Sequence, residues 1–397
     1  MLSASGRIRA LFDALFLPLL LPVMIAGAGC LAGQWLSVDI RANGGPYSYL
    51  TYGLLAVGLY GSAYGITRPE ARGDVYRIVV AITFGVIVKA GFIAAVLALF
   101  FRREPEYLVL AVAMAQIDPL SVSAMLESRD MSPRAKSLLA AWASFDDPVT
   151  TVLVVVISSM VLTGADGAAA GTASYAQTLV GNLALLLAAA VVWALLRRRA
   201  RADAPAGGAR RAVQIAALVA LMAVATWQFL MLGLALSALF FRPSLGRWIG
   251  RLTNLALFVA TFLVGVLLAQ GIDPRVGIVL GCATFAAQIV VGAAVSWGFS
   301  RRDRVSLCLS QQNGITAIIL ALLLQPLLPD AVAIIAPAIL VVNVLHLTST
   351  SLLDLSRRRA GRDPGASVTT DTDDGDAVAD PAEQETAVCA TPVKEAG

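Results

Sequence analysis

The chain has 397 residues, of which 58% are hydrophobic and 14% charged. A mean hydropathy of +0.77 excludes an ordinary soluble domain and fits a polytopic membrane protein. Four cysteines without paired spacing and a single histidine argue against a zinc or haem site, and no cofactor is expected. The pI near 9.0 comes from arginines in short loops, which indicates membrane topology before nucleic acid.

Apolar runs of membrane length recur along the whole chain. They predict helices near 11–36, 48–66, 75–101, 107–127, 136–162, 174–196, 211–226, 228–241, 246–270, 275–299, 304–327 and 330–354. The seventh and eighth are short and poorly separated. With the N-terminus in the cytoplasm, 24 of the 30 Lys and Arg fall in cytoplasmic segments and 4 in outer ones. The positive-inside rule then supports twelve spans with both termini inside. Arg7 and Arg9 before the first run resemble a signal peptide, and Ala28-Gly29-Cys30 faintly resembles a lipoprotein cleavage site. The run is too long, and Gly27 stands where a large aliphatic residue is expected, so a retained helix is predicted. Residues 360–397 turn polar, with nine Asp or Glu against two Lys or Arg, and read as a disordered acidic cytoplasmic tail.

Glycines at 27 and 29, at 53, 58, 61 and 65, and in Gly277-x-x-x-Gly281 predict close helix packing. One stretch, Ala115 to Thr151, stands apart. It joins two apolar segments by a short charged loop. Asp118-Pro119 interrupts the first segment at mid-depth, and the second carries Asp146-Asp147-Pro148. Ionisable groups inside a membrane cost roughly 2.5–3.5 kcal/mol each by insertion scales and mark ion or proton paths. A second polar interruption, Ser310-Gln311-Gln312-Asn313-Gly314, lies in the eleventh span. Helices 3–5 and 10–12 therefore repeat one order with opposite topology. Inverted repeats whose discontinuous helices meet near the midplane are a transporter architecture, and the broken ends offer carbonyls and amides to an ion.

Asp147 is the first candidate for the ion carboxylate. Ser144 and Thr151 share its helix face, with Thr150 at the edge. Carboxylate, hydroxyl and carbonyl oxygens suit a hard monovalent cation, and one buried carboxyl can hold either a proton or that cation. Asp146, about 100° around the helix, is a second proton carrier or the partner of a cationic side chain. Asp118 either ligates the ion or neutralises the positive end of a half-helix, with the electrostatic role favoured. Lys89, deep in the third helix, needs a partner. Asp146 or Asp147 is the natural one, and a wet cavity is the alternative. Gln288, deep in the tenth helix, and Gln311, Gln312 and Asn313 supply neutral oxygens and donors. Asn343 and His346 are expected to be helix-packing groups. Ser121 and Ser123 have no nearby His or Lys to make a nucleophile pair, so no enzymatic activity is expected.

These motifs resemble the monovalent cation:proton antiporter superfamily, which includes the bacterial sodium/proton antiporters. The resemblance covers about 20–354. Gly53 to Ile66 resembles the family's glycine-rich second helix. Ile117-Asp118-Pro119-Leu120-Ser121-Val122 resembles its T-D-P-V-A-V break, Phe145-Asp146-Asp147 its acidic pair, and Ser310 to Gly314 its second break. The departures are Ile117 for threonine, Pro148 after the pair, and Gln288 where Lys or Arg is usual. The expectation is that the counter-charge has moved to Lys89.

The resemblance implies an all-α membrane domain over 1–359 with two crossed discontinuous helices, the sodium/proton antiporter fold. Core helices would lie over 75–162 and 275–354 and interface helices over 11–66 and 211–270, usually in a homodimer. It implies a bacterial inner-membrane antiporter that exchanges Na⁺, Li⁺ or K⁺ for protons and serves pH homeostasis. Two rival expectations are a same-fold transporter of another ion or organic substrate, and a non-transporting membrane sensor or scaffold.

Overall fold

Backbone amides and carbonyls cannot be left unpaired in hydrocarbon, so a chain this apolar must fold into helices or a closed barrel. The computed structural model describes residues 4–35, 44–64, 75–101, 104–119, 122, 125–126, 131–162, 164–202, 207–243, 245 and 247–360, and all regular structure in them is helical. The expected tail, 360–397, and the Ser121/Ser123 pair lie almost entirely outside these residues. Met1–Asp354 forms one compact unit and Leu355–Gly397 another.

The chain opens with α1 (Ala4–Trp35) and α2 (Gly44–Tyr64). Then α3 (Val75–Val80) runs through a π-helical turn, Ala81–Gly85, into α4 (Val86–Phe100). Helix α5 (Glu106–Met114) stops at the first interruption, and α6 (Pro133–Leu162) carries the acidic pair. Next come α7 (Gly164–Ala202), α8 (Gly207–Gln228) and the short α9 (Met231–Ser237). They are followed by α10 (Arg247–Leu268) and α11 (Pro274–Val295). The second interruption separates α12 (Arg301–Cys308) from α13 (Ile315–Leu324), and α14 (Ala331–Ala360) closes the series. Among the described residues, 7 helices are long and apolar enough to cross a membrane: 76–100, 133–161, 177–198, 211–228, 248–268, 274–295 and 331–353.

Both interruptions fall where polar residues and Pro119 weaken the helix. The boundary between α8 and α9 has another cause. Phe229 adopts φ 54°, a left-handed conformation that a non-glycine residue adopts only under constraint. The amide of Leu230 closes the turn on the Ala225 carbonyl at 2.9 Å, and the Phe229 ring packs edge-on against Tyr52 at 4.7 Å. No glycine marks this turn, which is why the seventh and eighth predicted spans, 211–226 and 228–241, are poorly separated in the sequence.

Glycine decides the closest contacts. A Cβ at Gly29 or Gly33 of α1 would strike the backbone of α10 at Phe262 or Val266, and one at Gly265 of α10 would strike Ala26. Gly277 and Gly281 likewise seat α11 on α14, and Gly61 seats α2 on Thr253. Gly27 and Gly53 correct the expectation of uniform tight packing: nothing lies within 4 Å of a Cβ at either position.

The buried apolar residues form two clusters that meet at a polar layer. One holds Met114, Ala115, Val154, Ala287 and Ile315; the other holds Ile117, Trp142, Ala143, Val291 and Leu307. Along α6 the crossing from one to the other passes Asp146, Asp147, Thr150 and Thr151; along α11 it passes Gln288; at the second break it passes Ser310, Gln311 and Asn313.

Gly29→Val is expected to destabilise the protein by about 1–3 kcal/mol, the usual cost of overpacking. Gly27→Val, on the same helix, should leave the thermal unfolding midpoint near wild type. Equal effects of the two in detergent would contradict the α1–α10 contact.

Candidate functional site

The two interruptions cross and hold each other. The Asp118 amide donates to the Gln312 carbonyl at 3.0 Å. Gln311 Nε2 donates to the Gln116 carbonyl at 2.6 Å and to Asn313 Oδ1 at 2.8 Å. Asn313 Nδ2 reaches the Met114 carbonyl at 3.3 Å, at the C-terminal end of α5. Carbonyls freed where α5 stops are thus taken up by amide side chains of the opposite break, as a low-dielectric interior requires.

Helices outside the breaks supply the remaining partners. Gln288 Nε2 donates to the Leu307 carbonyl at 3.0 Å and to Ser310 Oγ at 3.1 Å, at the end of α12. Asn343 Nδ2 donates to the Asn313 carbonyl at 2.9 Å, and its Oδ1 accepts the Asn313 amide at 3.3 Å. His346 Nδ1 meets the Leu309 carbonyl at 2.6 Å, so Nδ1 carries the proton. Asn343 and His346 therefore do more than pack helices, because they brace the second break.

Lys89 and Asp146 form an ion pair at 3.1 Å with both side chains fully buried. Lys89 Nζ also donates to Gln288 Oε1 at 3.3 Å and stands 5.3 Å from the centre of the Trp142 ring. Asp146 Oδ2 accepts the Ile117 amide at 2.9 Å. The lysine on the third span and the glutamine on the tenth thus occupy one cluster, and the cation lies on the former. The π-helical turn ends four residues before Lys89. Its extra residue rotates everything beyond it by about 100° relative to an uninterrupted helix.

Asp147 has a different set of neighbours. Its Oδ2 accepts the Thr316 hydroxyl at 2.7 Å. Gln116 is satisfied at both ends only when its Nε2 donates to Asp147 Oδ1 at 2.8 Å and its Oε1 accepts the Ala317 amide at 2.8 Å, an orientation assigned from these partners. Thr316 and Ala317 lie in the first turn of α13, so the carboxylate faces the positive end of a helix. Asp118, on the first break, is buried at 1% exposure. Ser144 and Thr151 turn their hydroxyl protons to carbonyls one turn back, at Ala140 and at Asp147 itself. Pro148, inside α6, has no amide to give the Ser144 carbonyl. The Gln312 side chain is half-buried, and its carbonyl makes the contact described above.

Gln116 and Thr316 were not singled out in the sequence. The first adjoins Asp118 and the second follows the Ser310–Gly314 run, so proximity to a break was the available signal. Asp146 Oδ1, Thr150 Oγ1 and Gln311 Oε1 are buried oxygens without a hydrogen-bond partner among the described residues. A cavity of about 100 Å³ abuts Thr151 between α6, α7 and α9.

Comparison of the sequence with family models and with curated proteins returns no match. The fold does match. The all-helical architecture matches that of solved sodium proton antiporter structures. The structure of the sodium proton antiporter MjNhaP1 from Methanocaldococcus jannaschii at pH 8 aligns with TM-score 0.58 and 16% identity, over 89% of this chain and 100% of that one. The electron-microscopy structure of MjNhaP1 aligns with TM-score 0.62 and 15% identity, over 91% and 99%. At this identity the likeness is one of fold.

Removing one partner of a buried ion pair strands the other charge and typically costs about 3–5 kcal/mol. Lys89→Met should therefore lower the unfolding midpoint strongly. The double variant Lys89→Met/Asp146→Leu should recover most of the loss in a double-mutant cycle. Additive losses would contradict the pairing.

Proposed function

We propose that the protein is a secondary active cation:proton antiporter in which Asp147 binds a proton or a monovalent cation in turn. The observation that carries this reading is the charge of the polar layer. Among the described residues the acidic pair has one buried cation beside it, Lys89, which pairs with Asp146, while the fully buried Asp147 is held by the neutral donors Thr316 and Gln116. Uncompensated charge is intolerable in a dry interior, so positive charge must be taken up there, as protons or as a metal cation.

The donor set fits hard monovalent cations. The Asp147 carboxylate contacts the Thr316 hydroxyl and the Gln116 amide, Thr151 bonds the Asp147 carbonyl, and the same polar layer holds the unsatisfied oxygens of Thr150 and Gln311. No thiolate or second imidazole is available to favour a softer ion, and no group of three or more metal-type ligands exists among the described residues. Na⁺, Li⁺ and K⁺ are the candidate substrates.

The roles divide by partner. Asp146 is committed to Lys89 and the Ile117 amide, which makes it the fixed member of the pair. Asp147 is held by the neutral donors Thr316 and Gln116, both of which also have oxygens to offer. Exchange at one carboxylate couples the two fluxes without a further device: the cation leaves only when a proton replaces it. Alternating exposure of the layer would follow from movement of the core helices, 75–162 and 275–354, against helices 11–66 and 211–270. We place the chain as a homodimer in a bacterial inner membrane with cytoplasmic termini. This reading rests on the loop charges and the fold likeness.

Proton flux in everted vesicles tests the proposal. With an acid interior, adding Na⁺, Li⁺ or K⁺ should alkalinise wild-type vesicles, and Asp147→Asn should abolish the response. Thr316→Val should raise the half-saturating cation concentration about tenfold or more, the worth of one hydrogen bond to a charged group. Because proton and cation compete, that concentration should fall as pH rises, by up to about tenfold per unit where protons occupy the carboxyl. Silence with all three ions, with protein present in the membrane, would favour a same-fold transporter of another substrate.

A further inference from the structure

Far from the acidic pair in sequence, α7, α8 and the turn after α9 enclose a second cavity, of about 390 Å³. Its walls include Trp193, Arg197, Gln214, Phe240, Arg242 and Pro243, and none of its described lining residues is acidic. Among the described residues, two guanidinium groups therefore share a concave site that no carboxylate lines.

The site is built rather than left over between helices. The turn that carries Arg242 is pinned from α2: Tyr60 Oη donates to the Phe241 carbonyl at 2.6 Å, and Tyr64 Oη donates to the Pro243 carbonyl at 2.8 Å. Arg242 Nε donates to the Ala238 carbonyl at 2.8 Å and Nη2 to the Ala63 carbonyl at 3.5 Å, which leaves other N–H groups to donate. Arg197 is exposed, makes no hydrogen bond among the described residues, and lies 5.1 Å from the Trp193 ring centre. Trp193 in turn packs edge-on against Phe240, with centres 6.1 Å apart. Arg197 also stands at the end of the apolar span 177–198, where a helix of that length and composition would meet the membrane–water boundary.

We propose that this cavity binds a phosphate-bearing ligand. Guanidinium groups present a planar fork of donors matched to phosphate oxygens, and a ring held beneath a guanidinium fixes its plane. Arg197 and Arg242 take the phosphate, Gln214 adds a neutral donor, and Trp193 and Phe240 take the ring or chain attached to it. Two sources share this chemistry: an anionic phospholipid headgroup from the adjoining leaflet, and a soluble phosphate or nucleotide from the aqueous side.

Thermal unfolding of the delipidated full-length protein in detergent separates them. Inorganic phosphate, ATP and short-chain phosphatidylglycerol are titrated singly. Phosphatidylcholine and sodium chloride at matched ionic strength serve as controls. At least one phosphate compound should raise the midpoint saturably while the controls do not. Arg197→Gln should weaken the apparent affinity by about tenfold or more. A response to phosphate or ATP identifies a soluble ligand; a response to phosphatidylglycerol alone identifies the headgroup. Arg242 braces its own turn, so Gln214→Leu is the second variant, expected to weaken binding less than Arg197→Gln. Asp147→Asn should bind as wild type does. No shift beyond the controls, or an equal shift in wild type and Arg197→Gln, would overturn the site.

Discussion

A helix that stops inside hydrocarbon exposes carbonyls and amides that no water can satisfy, and the rest of this structure follows from that constraint. At the first break the carbonyls of Met114 and Gln116 are taken by Asn313 and Gln311. At the second, the carbonyls of Leu307, Leu309 and Asn313 are taken by Gln288, His346 and Asn343. Each break is thus completed by the other and by helices α11 and α14. Neither half could hold this geometry alone, which is why the interrupted spans must cross and why a layer of polar groups separates two apolar clusters.

Within that layer, charge is distributed unevenly. Lys89 and Asp146 neutralise each other with no exposure to solvent. Such a pair is weak support for stability, because desolvation offsets most of its attraction. Its effect is on geometry: with the Ile117 amide it ties the third span, the first break and the fifth span together. Among the described residues the donors to the Asp147 carboxylate are neutral, Thr316 and Gln116. The surroundings of Asp147 and the architecture of the breaks are in this sense one arrangement. The helix start that donates to Gln116 and carries Thr316 is itself a product of the second break.

The membrane class, the breaks at Asp118-Pro119 and Ser310–Gly314, and the acidic pair on one long helix were all legible in the sequence. These depend on composition and on local chemistry: proline removes a donor, polar runs interrupt apolar ones, and carboxylates in apolar surroundings are rare. Close packing at Gly277 and Gly281 was likewise legible, whereas the partner, α14, was not. The tertiary structure decided the rest. That Lys89 meets Asp146 rather than Asp147 depends on the rotation of two helices about their axes, and a π-helical turn with no sequence mark alters that rotation by about 100°. Thr316 and Gln116 join Asp147 only because two distant breaks cross. Phe229 ends α8 in a left-handed turn that contacts with Tyr52 hold in place. Local propensity determines where a chain can bend or break, whereas partners drawn from remote segments are chosen by packing, which no short stretch of sequence contains.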